Sequence, residues 1–333
     1  TTDGGTNWSR METASLQGGS LGGVQHYKIP NDFAVDANGD LWFATTNSPG
    51  VGTAGGDIFR TTNGTSFTLV NTIATASRTQ IEASASNANK FYVLYQNSGS
   101  NEADLAITTN AFGSYSALAE PNDADTGISA TDFTRGQAFY DLMLKVDPSN
   151  DNIVYAGGID LFRSSNSGSN WSQISKWSNN GPLSGLNVSL VHADQHVMAF
   201  NPSNSNEAVF GTDGGTFWSN SLSTAASNAV IPSRNTNLNI TQFYHGAIAP
   251  VAGGDQFNAG AQDNGNIYIT DDPTDGTPDT GTDISGGDGA YTYFDQVAMD
   301  YLIVNYVYNL TISLYDFSAS AWRTVNSGDQ NGD

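Results

Sequence analysis

Residues 144–171 read LKVDPSNDNIVYAGGIDLFRSSNSGSNW. Two short apolar runs, Leu144–Val146 and Ile153–Tyr155, flank a turn rich in Asp, Asn, Pro and Ser, which predicts strand, tight turn, strand. A third run, Leu161-Phe162, leads into Ser165-Asn166-Ser167-Gly168-Ser169-Asn170-Trp171, a polar turn that ends on an aromatic. The first half recurs at residues 33–44 (FAVDANGDLWFA), 81–94 (IEASASNANKFYVL) and 197–210 (VMAFNPSNSNEAVF), with weaker copies near Gly246 and Ala290. The second half recurs at residues 2–8, 62–67 and 109–115, and in degenerate form at 315–322. The turn positions Asp36, Ala85, Asp147, Asn201, Ala249 and Asp295 stand 46 to 62 residues apart.

A period of roughly 50 residues, short β-branched and aromatic runs, and almost no helical periodicity predict an all-β chain. The fold class that fits is a β-propeller of four-stranded antiparallel blades, because one such sheet cannot bury both of its faces alone. Six complete repeats are predicted at residues 26–75, 76–125, 136–185, 190–235, 240–285 and 286–330. An outer strand around Trp8–Ser15 belongs to a partial blade at residues 1–20. The whole of 1–333 then reads as one propeller domain, a piece of a ring of seven or more blades. In the recurring polar turns, Asp3, Asn63, Asn110 and Asn166 accept backbone N–H groups, Gly takes the positive φ, and the aromatic plugs the gap between blades.

Composition bounds the function. The chain has 333 residues, 11 Lys+Arg against 33 Asp+Glu, a net charge of −22 and no Cys. Nucleic-acid phosphates and anionic lipid both require a basic surface that is absent here. Without Cys there is neither a disulfide framework nor a thiolate metal site. No apolar run approaches the ~20 residues of a membrane span. Charged residues make up only 13%, against about 25% in ordinary globular domains. That sparse, Ser-, Thr-, Asn- and Gly-rich surface points to a secreted or cell-surface protein. The 6 Trp, 14 Tyr and 16 Phe need a buried core and exclude a disordered chain.

In a blade, the residues before the first strand and after the second reach the same channel mouth. Before first strands stand Tyr140-Asp141, His192, Asp194, His196, Tyr244-His245 and Asp288; after second strands stand Asp160, Asp213 and Asp263. His192-x-Asp194-x-His196 alternates, so in extended backbone its three side chains share one face. That set suits either a divalent metal or a polar network shaping the mouth. Paired carboxylates suit glycoside hydrolysis, and Asp141, Asp160, Asp213 and Asp263 are the pool for such a pair. The acidic stretch with Asp272, Asp275, Asp279 and Asp283 suits either Ca²⁺ or a solvated insertion.

The recurring polar turn resembles the Asp-box, or bacterial neuraminidase repeat, of sialidases, xyloglucanases and sortilin-type receptors. Residues 139–295 are similar to a family of large bacterial surface proteins, through Tyr140-Asp141-Leu142, Val146-Asp147-Pro148, His192–His196, Leu238–Tyr244, Ala259–Gly265 and Gly286–Tyr291. That resemblance implies export by the type IX bacterial secretion machinery, as a module that binds polysaccharide or a cell-surface protein. A more distant resemblance to xyloglucanases, through Thr212–Phe217 and Tyr140–Pro148, implies Asp213 as base and Asp141 as acid of an endo-glucanase. Two functions therefore stand side by side. One is a glycan- or protein-binding propeller with Asp160, His192, Asp194, His196, Tyr244, His245, Asp263 and Asp288 at its mouth. The other is a glycoside hydrolase.

Overall fold

Sheet 1 is built from Ile29–Val35, Leu41–Thr46, Asp57–Thr61 and Thr68–Thr72, each strand pairing antiparallel with the next. The same up-and-down order makes sheet 2 from Ala76–Ala83, Phe91–Asn97, Ala103–Thr108 and Ser116–Ala117, and sheet 3 from Met143–Val146, Val154–Gly157, Leu161–Ser164 and Ser172–Gln173. Sheet 4 has three strands, Gln195–Asn201, Asn204–Thr212 and Gly215–Ser219. Sheet 5 comprises His245–Ile248, Phe257–Ala261, Gly265–Asp272 and Thr277–Asp283, and sheet 6 comprises Gly289–Phe294, Tyr301–Tyr306, Ile312–Asp316 and Ala321–Thr324. This computed structural model describes residues 1, 3–9, 13–48, 50, 53–238, 240–251, 256–272, 277–307 and 311–325, and no α-helix occurs among them. The chain divides into two compact units, Thr1–Asn237 and Leu238–Asp333. The fold is thus all-β, a succession of up-and-down sheets, five of four strands and sheet 4 of three among the described residues.

Within the first unit the sheets stack face to face. Trp42, Ala44 and Ile58 of sheet 1 pack on Ile81, Phe91 and Val93 of sheet 2. The opposite face of sheet 2, with Tyr92, Leu94 and Leu105, packs on Leu144, Val154 and Phe162 of sheet 3. Sheet 3 then turns Met143, Tyr155 and Leu161 toward Met198, Phe210 and Phe217 of sheet 4. Strands buried on both faces have to be continuously apolar, which is why runs such as Phe91–Tyr95 do not alternate with polar residues. In the second unit, Phe294, Leu302 and Val304 form a core with Ala249.

The recurring turns work as local caps. Asn166 Oδ1 accepts the N–H of Asn170 at 2.9 Å while Ser164 Oγ accepts that of Gly168 at 2.9 Å. Asn63 Oδ1 accepts the N–H groups of Thr65 and Ser66, each at 2.9 Å. In the turn at 110–115 the positive φ falls on Ala111 and Phe112, with no Gly at either. This reverses the expected plug: Phe112 is buried 5.2 Å from Phe91, and Tyr115 is left exposed.

Three details differ from the sequence reading. Of the outer strand expected over Trp8–Ser15, the described residues do not form a strand: Trp8 and Ser9 are irregular and Ala14–Leu16 is a 3₁₀ turn, while 10–12 lie outside the described residues. A two-stranded hairpin, Gln17–Leu21 with Val24–Tyr27, follows instead, because Gly22 and Gly23 at φ 61° and 80° permit a two-residue turn. The fourth position of sheet 4 is taken by an irregular segment in which Trp218 N–H donates to Pro232 O and Arg234 N–H to Thr216 O. Pro232 has no N–H to extend a ladder. The acidic stretch before Asp283 supplies the fourth strand of sheet 5, paired with Ile267–Asp272, rather than an open loop.

Phe91→Ala, which opens a void between sheets 1 and 2, is expected to destabilise the first unit by about 3–5 kcal/mol. Asn166→Ala, which removes one turn acceptor, is expected to cost only about 1 kcal/mol. Denaturant unfolding followed by Trp fluorescence measures both.

Candidate functional site

The connection from residue 118 to 142 ends by placing Gln137, Tyr140 and Asp141 beside the first strand of sheet 3. The turn Thr212–Gly215 sits at the end of the second strand of sheet 4. These two segments meet. Tyr140 OH donates to Asp213 Oδ1 and Oδ2 at 2.9 and 3.0 Å. His196 Nε2 lies 2.5 Å from the same Oδ1, and its ring meets Tyr140 edge-on at 4.8 Å. Asp213 N–H donates to Asp194 O at 3.3 Å, with Asp194 held at φ 64°. Gln137 Nε2 donates to Asp194 Oδ1 at 3.4 Å.

His192 is stacked over the turn: a Cβ on Gly214 would lie 2.2 Å from its ring, so only Gly fits there. Gly215, at φ 102°, is tied down by Asn235, whose Nδ2 donates to Gly214 O and whose Oδ1 accepts Thr216 N–H. The structure brings His192, Asp194, His196 and Asp213 together, with His196 inside the first strand of sheet 4 rather than ahead of it. Among the described residues no group of three or more His, Cys, Asp or Glu side chains has the arrangement of a metal site. The contacts of His196, Asp194 and Asp213 form a polar network.

The carboxyls differ in environment. Burial, with the Asp213 charge next, raises Asp194 above its ordinary value. Asp141 is fully buried, and neither of its oxygens has a hydrogen-bond partner among the described residues. Burial first, then the charge of Asp194, pushes it up to about 9. Its buried carboxyl has no exposed surface of its own. Asp160 is fully buried too, but elsewhere: Ser175 Oγ and Gln173 Nε2 donate to it at 2.6 and 3.1 Å. Burial pushes Asp160 up to about 7.

In the second unit, Asp288 accepts Tyr306 OH at 2.9 Å and Asp263 N–H at 3.0 Å, and that backbone donor holds its carboxyl below the usual range. His245 lies 5.1 and 5.0 Å from the rings of Tyr291 and Tyr293. Tyr244 OH donates to Gln262 Oε1. A cavity of about 310 Å³ is lined by Tyr291, Tyr293, Ile303, Asn305 and Ile312. Asp283 Oδ1 is occupied by the N–H groups of Ser285 and Gly286 at 3.1 and 2.9 Å, the work of a turn cap. The carboxyls of Asp272, Asp275 and Asp279 lie outside the described residues.

No protein-family model and no curated protein matches the chain. Among solved structures it is similar to the GH74 xyloglucanase from Xanthomonas campestris, at 13% identity and a TM-score of 0.44, over 94% of this chain and 46% of that one. It therefore spans about half the length of that enzyme. It is also similar to YCF48 from Cyanidioschyzon merolae, at 10% identity and a TM-score of 0.40, over 90% and 86% of the two chains. A β-propeller domain from Myceliophteria thermophila follows at 11% identity and a TM-score of 0.40, over 87% and 84%.

Sequence reasoning named Tyr140 only as a flank and missed Gln137 and Asn235. Gln137 lies in the long connection, whose length alone was a signal. Arg78 was missed as well; its charge, with that of Asp194, is felt by Asp141.

Asp141 generates a pH prediction. The folded chain keeps this proton to about 9, whereas the free carboxyl releases it near 3.8. Its contribution is therefore fully present below the lower value and is lost as pH rises toward the upper one. Asp141→Asn keeps the shape and needs no proton. Its denaturation midpoint is expected to exceed the wild type's at about pH 8 and to match it at about pH 4. Equal pH slopes in the two proteins would contradict the assignment.

Proposed function

We propose that the chain is the blade-bearing part of a secreted or cell-surface β-propeller that binds polysaccharide through the mouth formed by Tyr140, Asp194, His196 and Asp213. The observation that carries this is the locked Tyr140–Asp213–His196 cluster. It holds a carboxyl and an imidazole in one orientation, with Phe139 63% exposed alongside. Fixed acceptors beside an open ring suit the hydroxyls and apolar face of a sugar, and few rotamers are lost on binding. In this reading the sheets close into a ring of seven or more blades, and the type IX route exports the whole protein.

Glycoside hydrolysis is the second reading, and one observation favours it. Asp141 retains its proton at neutral pH, which a general acid needs. It requires the cover over Asp141 to move, because two carboxyls must flank the scissile bond.

A panel of soluble polysaccharides, read by titration calorimetry and by release of reducing ends, separates the readings. Asp213→Asn and His196→Ala are each expected to weaken binding about tenfold or more, the scale of one charge-assisted hydrogen bond. Retention of full affinity in both variants overturns the mouth. Release of reducing ends that is lost in Asp141→Asn, with binding kept, selects the hydrolase.

A further inference from the structure

The connection from residue 118 to 142 has no strand of its own and crosses from sheet 2 to sheet 3. Connections longer than about 12–15 residues in compact domains are usually functional. This one delivers Gln137 and Tyr140 to the mouth, so whatever docks it also assembles the site. Some of its anchors are indifferent to pH. Trp171 Nε1 donates to Ala119 O at 2.8 Å, and Ala124 N–H donates to Gln173 Oε1 at 2.9 Å. Others are acids facing acids. Glu120 is half-buried, and burial first, then Asp104 of sheet 2, Glu102 and Asp132, raise its carboxyl. Asp123 of the strap and Asp160 of sheet 3 share one donor, Gln173 Nε2, at 3.5 and 3.1 Å. Both are buried, and Asp123 Oδ2 has no hydrogen-bond partner among the described residues. The charges facing Asp123 and Asp160 are each other's and that of Asp125. Among the described residues, no Lys or Arg forms an ion pair with Glu120, Asp123 or Asp160.

Two carboxyls buried against each other cannot both ionise at ordinary cost. We propose that the strap is a proton-held clasp: Asp123 against Asp160, joined through Gln173, keeps it docked while the pair holds a proton, so the mouth is firmly assembled in acid and loosens as pH rises. Burial raises Asp123, and pushes Glu120 up to about 8 and Asp160 up to about 7. An undocked strap would return them to 4.5 and 3.8. The docked form therefore binds more protons between those limits. Docking is strongest below the lower values, weakens through the window, and levels off above about 8.

The test is hydrogen exchange on the whole chain from about pH 5 to about pH 8, with the intrinsic base-catalysed rate divided out. No ligand is involved, so the result is independent of what the mouth binds. Opening of the strap amides, Ala124 and Ile128 among them, is expected to rise about tenfold or more across that range. The interior strand Phe91–Asn97 is expected to stay protected. Asp160→Asn and Asp123→Asn keep hydrogen-bonding groups without needing a proton, and each is expected to flatten the rise. Strap opening that is independent of pH in the wild type overturns the clasp, as does a rise equally steep in both variants. Should Asp160→Asn not fold, Asp123→Asn on the strap decides alone: a flatter rise supports the clasp and an unchanged one overturns it.

Discussion

Sheets that are apolar on both faces cannot stand alone. A strand such as Phe91–Asn97 puts Phe91, Val93 and Tyr95 on one side and Tyr92 and Leu94 on the other, and all five are buried. Each such side chain contributes about 1.5–3 kcal/mol only when covered. Covering both faces forces sheet onto sheet, which brings the ends of neighbouring inner strands within reach. The meeting of Tyr140, ahead of sheet 3, with Asp213, behind the second strand of sheet 4, follows from that stacking. No local sequence signal joins two residues 73 positions apart.

A chain with 33 acids and 11 bases cannot pair most of its carboxyls with cations, although Lys28, Arg60, Lys90 and Lys145 each hold one. It uses three other solutions. Turn carboxyls take backbone N–H groups: Asp36 accepts from Asn38 and Asp40, and Asp147 from Ser149. Carboxyls at the predicted mouth positions take side-chain donors. Asp213 accepts a Tyr OH in the first unit and Asp288 accepts one in the second, each at 2.9 Å. Burial pushes other carboxyls toward the protonated form, Asp141 up to about 9 and Asp160 up to about 7. The last solution ties structure to pH in the sense opposite to ordinary acid unfolding, since protonation here favours the folded arrangement.

The strap and the mouth are one mechanical system. Asp132 accepts the N–H groups of Thr134 and Gly136 at 3.1 and 2.6 Å and so sets the bend from which Gln137 and Tyr140 project. Gly158 lies so close under Phe133 that a Cβ would come within 2.8 Å of its carbonyl oxygen, which fixes the strap against sheet 3.

What the sequence settled by itself is what depends on near neighbours in the chain. Asp36, Asn63, Asp147 and Asn166 bond to N–H groups two to four residues away, so turn chemistry and the strand, turn, strand repeat were readable from spacing. The positions around the ends of the inner strands were readable too, and they held His192, Asp194, His196 and Asp213. Only the tertiary structure decided which of those candidates meet and which are sealed. Asp141, Asp160 and Asp213 look alike in sequence, each an Asp at the end of a strand. Packing buries the first without a partner, bonds the second to Ser175, and opens the third to Tyr140 and His196. The physical reason is that solvation at each carboxyl is set by atoms from other sheets and from the strap, and strand periodicity carries no record of them.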